Sequence, residues 1–567
     1  MFKNQPAGLY VLSLANTGER FGYYTMLAIF LLFLQAKFGF DAAVSGQIYA
    51  IFLAVVYFMP LLGGFVADRW SFSKCVVTGI FVMFAGYGIM SIPTPVRETS
   101  SMLILFVALA LIAIGTGLFK GNLQVMVGDL YNAPKYASQR DNAFSLFYMA
   151  INLGSMIAPF AATSMLNVAL RDGGMKYVAS LPAMCNQFLD NGEGAQNIIS
   201  TAAEAGMTVG TDVQAFATDY LTCVSTGYSY GFAIACASLV VSFLIYTFGK
   251  RTYSHIIKGK ADAKAVASKQ QLPQQELSPE QTKQRVVALL LVFAVVIFFW
   301  MVFHQNGATL TEFAKSCTSP DASGWTRIGF NVGALLILAA GIWSIFVFFQ
   351  SNKIGKIVSA LVFAGVVVSI VFIYLNTPST IEGIQPQQYQ QFNPFYVVAL
   401  TPVSLALFGW LARKKKEPSA PRKIGYGMIM AAIAYGVMVI GSVSLVGTQG
   451  AVSPNWLIST YLLLTFAELL LSPMGISFVS KVAPPKLKGS MMGGWFAATA
   501  VGNYLVSIPM LLWGHISVMM VWIILIIICL VSAGFIFSIM KKLEAATGDA
   551  PSEPSPEDIE TVEAETV

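Results

Sequence analysis

The sequence predicts an all-α polytopic membrane protein of fourteen helices, six before a polar linker and eight after it. Three observations predict this. The 567-residue chain is 56% hydrophobic and 11% charged, with a mean hydropathy of +0.67, whereas soluble domains carry about 25% charged residues. Apolar runs long enough to cross a bilayer recur along nearly all of it. Basic residues gather in alternate loops.

A spanning helix needs ~20 apolar residues. The first run, near 8–36, follows "MFKNQPAGLY". It is too long for the apolar core of a signal peptide and lacks a small-residue cleavage end, so it is expected to stay as a helix. Runs near 45–67 and 74–93 flank the basic turn Arg69–Lys74. Runs near 101–130 and 143–168 flank the basic stretch Lys135–Arg140, and 229–248 closes the first set. The second set opens at 286–306. Runs 327–349 and 355–375 form a pair around Lys353–Lys356. Runs 394–412 and 424–445 flank Arg413–Lys423, runs 455–480 and 488–513 flank Lys481–Lys488, and 516–540 is last.

Each basic turn follows an even-numbered run, as does the basic stretch 250–285. The alternate loops are nearly free of Lys and Arg; exceptions include Arg97, Arg171, Lys176, Lys315 and Arg327. Short basic loops stay cytoplasmic, so both termini are expected there. The chain divides into an N-terminal six-helix bundle (1–248), a polar Gln-rich linker (249–285), a C-terminal bundle (286–542) containing the extra pair 327–375, and an acidic tail. That tail, 543–567, contains Pro and Ser and is expected to be disordered.

The outer loop 169–228 is mildly acidic and carries Cys185 and Cys223. They form a disulfide if that face is oxidising, or remain two free thiols; Cys317 leaves an odd count outside. Cys75, Cys236 and Cys529 read as packing residues. With no C-x-x-C pair among the six cysteines, no metal site or cofactor is expected.

Few ionisable residues fall inside the runs. Glu19 and Arg20 sit near the middle of the first, in "TGERFGYY". Lys120 lies in "GTGLFKGNL", His304 in "FFWMVFHQNG" and Glu468 in "LLTFAELLLSP". A charge at mid-bilayer is costly and marks a functional-site hypothesis. Adjacent residues on a helix do not face each other, so Glu19 and Arg20 are each expected to pair elsewhere, with Lys120 the natural partner of Glu19. The alternative is structural: the charges glue helices together, and His304 merely hydrogen-bonds across them. Cations in one half and an acid in the other suit a zwitterion, clamping its carboxylate and ammonium at opposite ends. A carboxylate beside a cation can also take up and release protons. Tyr23, Tyr24, Tyr57, Trp300 and Trp495 could supply aromatic walls.

Six helices, a linker and six more plus an extra pair resemble the two-halves plan of the major facilitator superfamily. Longer stretches resemble one branch of it, the proton-coupled oligopeptide transporters. "GERFGYY" resembles that family's E-x-x-E-R-F-x-Y-Y pattern, and "YFMPLLGGFVADRW" at 57–70 its second-helix ending. "GTGLFKGNLQVMVGD" at 115–129 and "FSLFYMAINLGSMIAP" at 144–159 are similar to its fourth and fifth helices. "NPFYVVALTP" at 393–402 and "AELLLSPMGISFVSKVAPPKLKGSMMGGWF" at 467–496 are similar to its eighth, tenth and eleventh. The resemblance implies a symporter of di- and tripeptides with protons, working by alternating access. Glu19, Arg20 and Lys120 would form the charge network for proton coupling and the peptide carboxylate. Glu468 would meet the peptide amino terminus, and Asn152 and Asn393 its backbone. Tyr23, Tyr24, Tyr57, Trp300 and Trp495 would line the pocket. Gly18 and Gly22 would let helices approach closely.

The chain departs from the pattern at three places. The first glutamate of E-x-x-E-R is Asn16, the arginine a turn past the tyrosines is Leu27, and the seventh-helix glutamate is His304. In the family the last two form an outer salt bridge; changing both strands no buried charge. His304 either takes over as proton carrier, since imidazole titrates near pH ~6.5, or only hydrogen-bonds while Glu19 and Glu468 do the coupling. The extra pair also follows the seventh helix, whereas the family's bacterial members carry it before that helix. The expected partners are a di- or tripeptide, protons and the lipid bilayer, with no nucleic acid. The chain is expected to work as a monomer in a bacterial inner membrane. A peptide sensor, an uncoupled facilitator and a carrier of nitrate or another anion are the alternatives. Glu468 argues against a simple anion. Nothing in the sequence places a nucleotide loop or a nucleophile triad, so an enzyme is not expected.

Overall fold

The computed structural model describes residues 5–131, 134–137, 140–256, 278–447, 450–484 and 487–548. Among them fourteen helices are long and apolar enough to cross a membrane. The first six are α1 (Ala7–Phe38), α2 (Ala42–Arg69), α3 (Phe72–Ser91), α4 (Thr99–Asp129), α5 (Arg140–Asp172) and α6 (Val213–Phe248). The rest are α7 (Pro279–Phe303), α8 (Val332–Gln350), α9 (Lys353–Asn376), α10 (Phe392–Arg413), α11 (Ala420–Gly441), α12 (Pro454–Val482), α13 (Lys488–Leu505, continued by Ser507–Leu512) and α14 (Val518–Ser538).

Short polar residues set the ends of these helices. Asp41, Asp212, Ser278, Asn331, Asn352, Ser453 and Ser517 each accept a backbone N–H in the first turn of the helix they precede. Such caps satisfy donors that a helix start otherwise leaves bare. At its far end α1 stops on Gly39, whose left-handed backbone (φ 70°) turns the chain toward α2.

The apolar contacts fall into two large cores and one small cluster, Ile328, Ala334 and Ile370, at the α8–α9 pair. One runs from Leu9 to Tyr253 and takes in Ala308, Val506 and Met510. The other runs from Ala288 to Ala546 and takes in Met156. Within the first, α3 packs on α4, and α1 on α5 and α6; within the second, α11 packs on α12 and α14. The two cores meet along α2–α13 and α5–α10. Small residues allow the tightest approaches. A Cβ on Gly117 of α4 would lie 2.5 Å from Met59 Cβ of α2, and one on Gly22 of α1 would lie 2.6 Å from Ser238 Oγ of α6. The pair α8–α9 packs on itself and on α10, and most of α9 faces outward. It is peripheral.

Several boundaries differ from the sequence reading. Helix α6 begins at Val213, so residues 213–228 are helix and not loop. Their buried residues Ala217, Tyr220, Leu221, Val224 and Tyr228 recur three and four apart. That stripe packs toward a helix at Leu181–Asn191, while exposed Thr218 and Thr222 hold hydropathy down. Residues Thr326–Phe330 form a 3-10 turn, so α8 starts late. A short helix, Thr309–Ser316, follows α7. The start of the expected disordered tail is helical over Met540–Gly548. Leu543 and Ala546 bury there, and Glu544 accepts from Arg422 and Ser419, which lowers its carboxyl. The remainder of that tail (549–567) and of the linker (257–277) lies outside the described residues. None of the six cysteines forms a disulfide. Burial pushes the Cys185 thiol up to about 12, which leaves it protonated and unreactive.

Gly117→Ala should destabilise the purified chain by about 1–3 kcal/mol, because the added methyl meets Met59 and its backbone. Gly64→Ala, where a Cβ meets nothing within 4 Å, should change stability by less than about 1 kcal/mol. Thermal unfolding in detergent checks the pair. Equal losses would mean that the α2–α4 approach is not tight.

Candidate functional site

The two cores enclose a cavity of about 250 Å³. Ligand pockets commonly span about 300–1,000 Å³, so this one suits a small solute. Helix α1 supplies Arg20, Tyr23, Tyr24 and Leu27, which recur three and four apart along one face. Tyr57 comes from α2, Lys120 and Gln124 from α4, and Tyr148 and Asn152 from α5. From the other core come Trp300 and His304 at the end of α7, Asn393 of α10, Glu468 and Ser472 of α12, and Trp495 of α13. The sequence-derived site residues therefore converge on one cavity, with one exception. Glu19 is 1% exposed and does not border it.

Glu19 corrects the sequence reading. Its partner is the adjacent Arg20, not Lys120. Arg20 Nε donates to Glu19 Oε2 at 2.5 Å and Arg20 Nη2 to Oε1 at 2.6 Å. Neighbouring side chains leave a helix in different directions, but both are long enough for Arg20 to curl back. In a water-poor interior a bidentate pair is strongly favoured. The pair cancels its own charge, with Arg20 at the cavity wall and Glu19 behind it. Arg20 also lies over the Tyr23 ring, 4.7 Å from its centroid.

Lys120 is thereby left without a carboxylate. Its Nζ sits 4.0 Å above the Tyr57 ring, a cation–π contact that partly replaces water. Among the described residues no ion pair includes it. Tyr57 leads to His304, with ring centroids 5.7 Å apart, and His304 stacks on Trp300 at 4.9 Å and 22°. His304 Nδ1 is 2.5 Å from Asn503 Oδ1. An Nδ1–H donating to that oxygen leaves Nε2 as an acceptor.

Glu468 forms the opposite wall. Tyr148 donates its hydroxyl to Oε1 at 2.8 Å, and Asn393 Nδ2 donates to Oε2 at 3.1 Å. Both donors are neutral, and among the described residues no cation pairs with Glu468. Asn152 turns its amide to the Tyr148 carbonyl, 3.0 Å away. Tyr148 therefore links α5 of one core to α12 of the other. Within the wall, the Trp300 indole N–H and the Tyr23 and Ser472 hydroxyls have no protein partner among the described residues. Buried polar groups normally have one.

A polar seam closes the cavity at the end where α1 stops and α2 starts. Gln390 Nε2 donates to the Ala28 carbonyl (3.3 Å) and to Thr311 Oγ1 (3.0 Å). Gln387 reaches Thr163, and Gln385 reaches Asn167. Farther out, Gln35 Nε2 donates to Glu312 Oε2 (2.7 Å), and Lys315 Nζ donates to Gln35 Oε1 (2.7 Å). Sequence reasoning missed Tyr148, Asn503 and this seam. The glutamines 385–391 lie between apolar runs and read as loop; only their density in "IQPQQYQQFN" could have flagged them.

Replacing Glu19 with Gln should leave Arg20 charged and unpaired, at a cost of about 3–5 kcal/mol. Replacing both, Glu19→Gln with Arg20→Gln, should restore part of that loss. Thermal unfolding of the three purified chains decides it; a double variant no more stable than Glu19→Gln would show that the two do not act as a unit.

The sequence profile described as the POT family matches residues 73–270 and 362–523. Among characterised relatives, a peptide transporter of Yersinia enterocolitica is 26% identical over 536 residues, covering 91% of this chain and 89% of that one. A di-/tripeptide transporter of Lactococcus lactis is 26% identical, covering 88% of each chain. Of solved structures, a peptide transporter POT in complex with alafosfalin superposes with a TM-score of 0.65 at 21% identity, covering 96% of each chain. A POT family transporter in complex with 5-aminolevulinic acid gives 0.63 at 19%, covering 96% of this chain and 98% of that one. The fold is thus that of these carriers. With the profile covering more than half of its length, the chain belongs to the POT family, a family of membrane transporters and not of enzymes.

Proposed function

We propose that this chain carries di- and tripeptides across a bacterial inner membrane together with protons, by alternating access. One observation carries the reading: a single cavity holds a cation, Lys120, on one wall and an acid, Glu468, on the other, neither in an ion pair among the described residues. A zwitterion satisfies both at once, its carboxylate at Lys120 and Arg20 and its ammonium at Glu468. A simple anion leaves Glu468 repelling it. The relatives named as peptide transporters support the same cargo. Asn152, Asn393, the Trp300 indole and the Tyr23 and Ser472 hydroxyls would meet the peptide backbone. Tyr24, Tyr57 and Trp495 would tolerate varied side chains.

Proton coupling would rest on Glu468, Glu19 and His304. A proton on Glu468 would weaken its hold on the ammonium, and protonating Glu19 would free Arg20 for the carboxylate. His304, with a ring nitrogen turned from Asn503, would accept a proton at the end of the Lys120–Tyr57 row. By the basic-loop rule the α1–α2 end would face outward, so the seam would close the outer side and this state would release inward. The N-terminal bundle would then rock against the C-terminal one.

Labelled dialanine should enter proteoliposomes faster under an inward acid gradient, competed by varied dipeptides and not by free alanine. Uptake indifferent to the gradient would make the chain a facilitator, and no uptake by folded protein would overturn the cargo. His304→Gln should weaken gradient-driven uptake and leave pH-independent peptide exchange largely intact. An unchanged pH response would remove His304 from the proton path.

A further inference from the structure

A second cavity, of about 400 Å³, opens at the α1–α2 end. Among the described residues it shares no lining residue with the central one. The last turns of α1, the turn into α2, the helix Leu181–Asn191 and the short helix Thr309–Ser316 enclose it. Its walls are built. Asn186 donates to the Gln35 and Ala36 carbonyls, 3.2 Å each, which fixes the helix Leu181–Asn191 to the end of α1. Arg97 in turn donates to Asn186 Oδ1 at 2.9 Å and pairs with Asp190.

The lining carries opposite charges. Lys315 spends two of its three protons, on Gln35 Oε1 (2.7 Å) and on Glu312 Oε1 (2.6 Å), and an ammonium has three. The third is available to a ligand. Across the turn, Asp41 caps α2 with Oδ1, accepting from Val44 N–H at 2.7 Å, and its other oxygen is open to a cation. Tyr177 and Tyr228 add aromatic rings to the lining. The glutamine of the seam, Gln35, is part of the same lining.

We infer that this cavity is a loading site for a zwitterion of dipeptide size, held by its carboxylate at Lys315 and its ammonium at Asp41. The choice of ligand rests on the peptide reading of the central cavity; the site itself does not. Occupancy acts on the seam. A carboxylate on the third proton makes a second anion share the ammonium that already serves Glu312 and Gln35, and so weakens its hold on both. It therefore loosens one tie of the seam, that between α1 and the short helix Thr309–Ser316. A solute waiting in the loading site would thus favour the opening that admits it.

The test is equilibrium binding of labelled dialanine to the purified full chain. The intact chain should bind two molecules, and Glu468→Gln should leave one. In the Glu468→Gln background, Ala183→Trp fills the second cavity from its helical wall and should weaken the remaining binding at least tenfold; Lys315→Gln should do the same without adding bulk. Gel filtration reports whether each variant folds. Dialanine bound by Glu468→Gln and lost with Lys315→Gln upholds the site, even if the intact chain takes up no peptide and the cargo reading fails. A Glu468→Gln chain that binds none, or binding untouched by both cavity substitutions, overturns it, whether or not the intact chain transports dialanine.

Discussion

A charge inside a bilayer has no water to turn to, and that constraint organises this molecule. Every ionisable group placed at depth must be cancelled, shielded or left to a ligand. Glu19 and Arg20 are cancelled, closing on each other through two hydrogen bonds. Lys120 is shielded by the Tyr57 ring. Glu468 is held by two neutral donors, Tyr148 and Asn393. Among the described residues, the central cavity is left with one cation, Lys120, and one acid, Glu468, that no ion pair cancels. The rest of the fold serves that separation. Two apolar cores carry the charges on separate walls, and close packing at positions such as Gly117 and Gly22 holds helices near enough to exclude lipid from between them.

The apolar runs made the helices legible, because hydropathy over about twenty residues is a strong signal. Signals of other kinds were lost. The start of α6 carries a buried stripe beside exposed threonines, an amphipathic pattern that a search for apolar runs passes over. The onset of the tail helix depends on Leu543, Ala546 and the Glu544–Arg422 pair, which involve residues about 120 positions away.

The site was legible to a different degree. The cavity face of α1 can be read from its spacing, and the lone charges announce themselves by being costly. Partners cannot be read the same way. The rule that adjacent helix residues diverge sent Glu19 to Lys120, and it failed because it describes where side chains leave the backbone, not how far a long one can return. Tyr148 and Asn503 were invisible for a simpler reason. A tyrosine or an asparagine in an apolar run is ordinary until the structure shows which carboxylate or imidazole it faces.

The seam shows how a closure can be built without burying an ion pair between moving parts. Leu27 and His304, where the family's outer salt bridge would sit, both border the cavity and bring no opposed charges. The tie lies farther along α1, at Gln35. Lys315 and Glu312 belong to one short helix and are already paired at 2.6 Å. Gln35 joins them with a neutral amide that donates to one and accepts from the other. Pulling α1 away would break two hydrogen bonds and leave the ion pair whole. Separating a salt bridge shared between halves would instead strand two charges in a poorly hydrated gap. The other ties across the seam, from Gln385, Gln387 and Gln390, are likewise neutral. Such a closure is held by many small terms, each on the order of 1 kcal/mol, so no single contact dominates it and its strength depends little on salt.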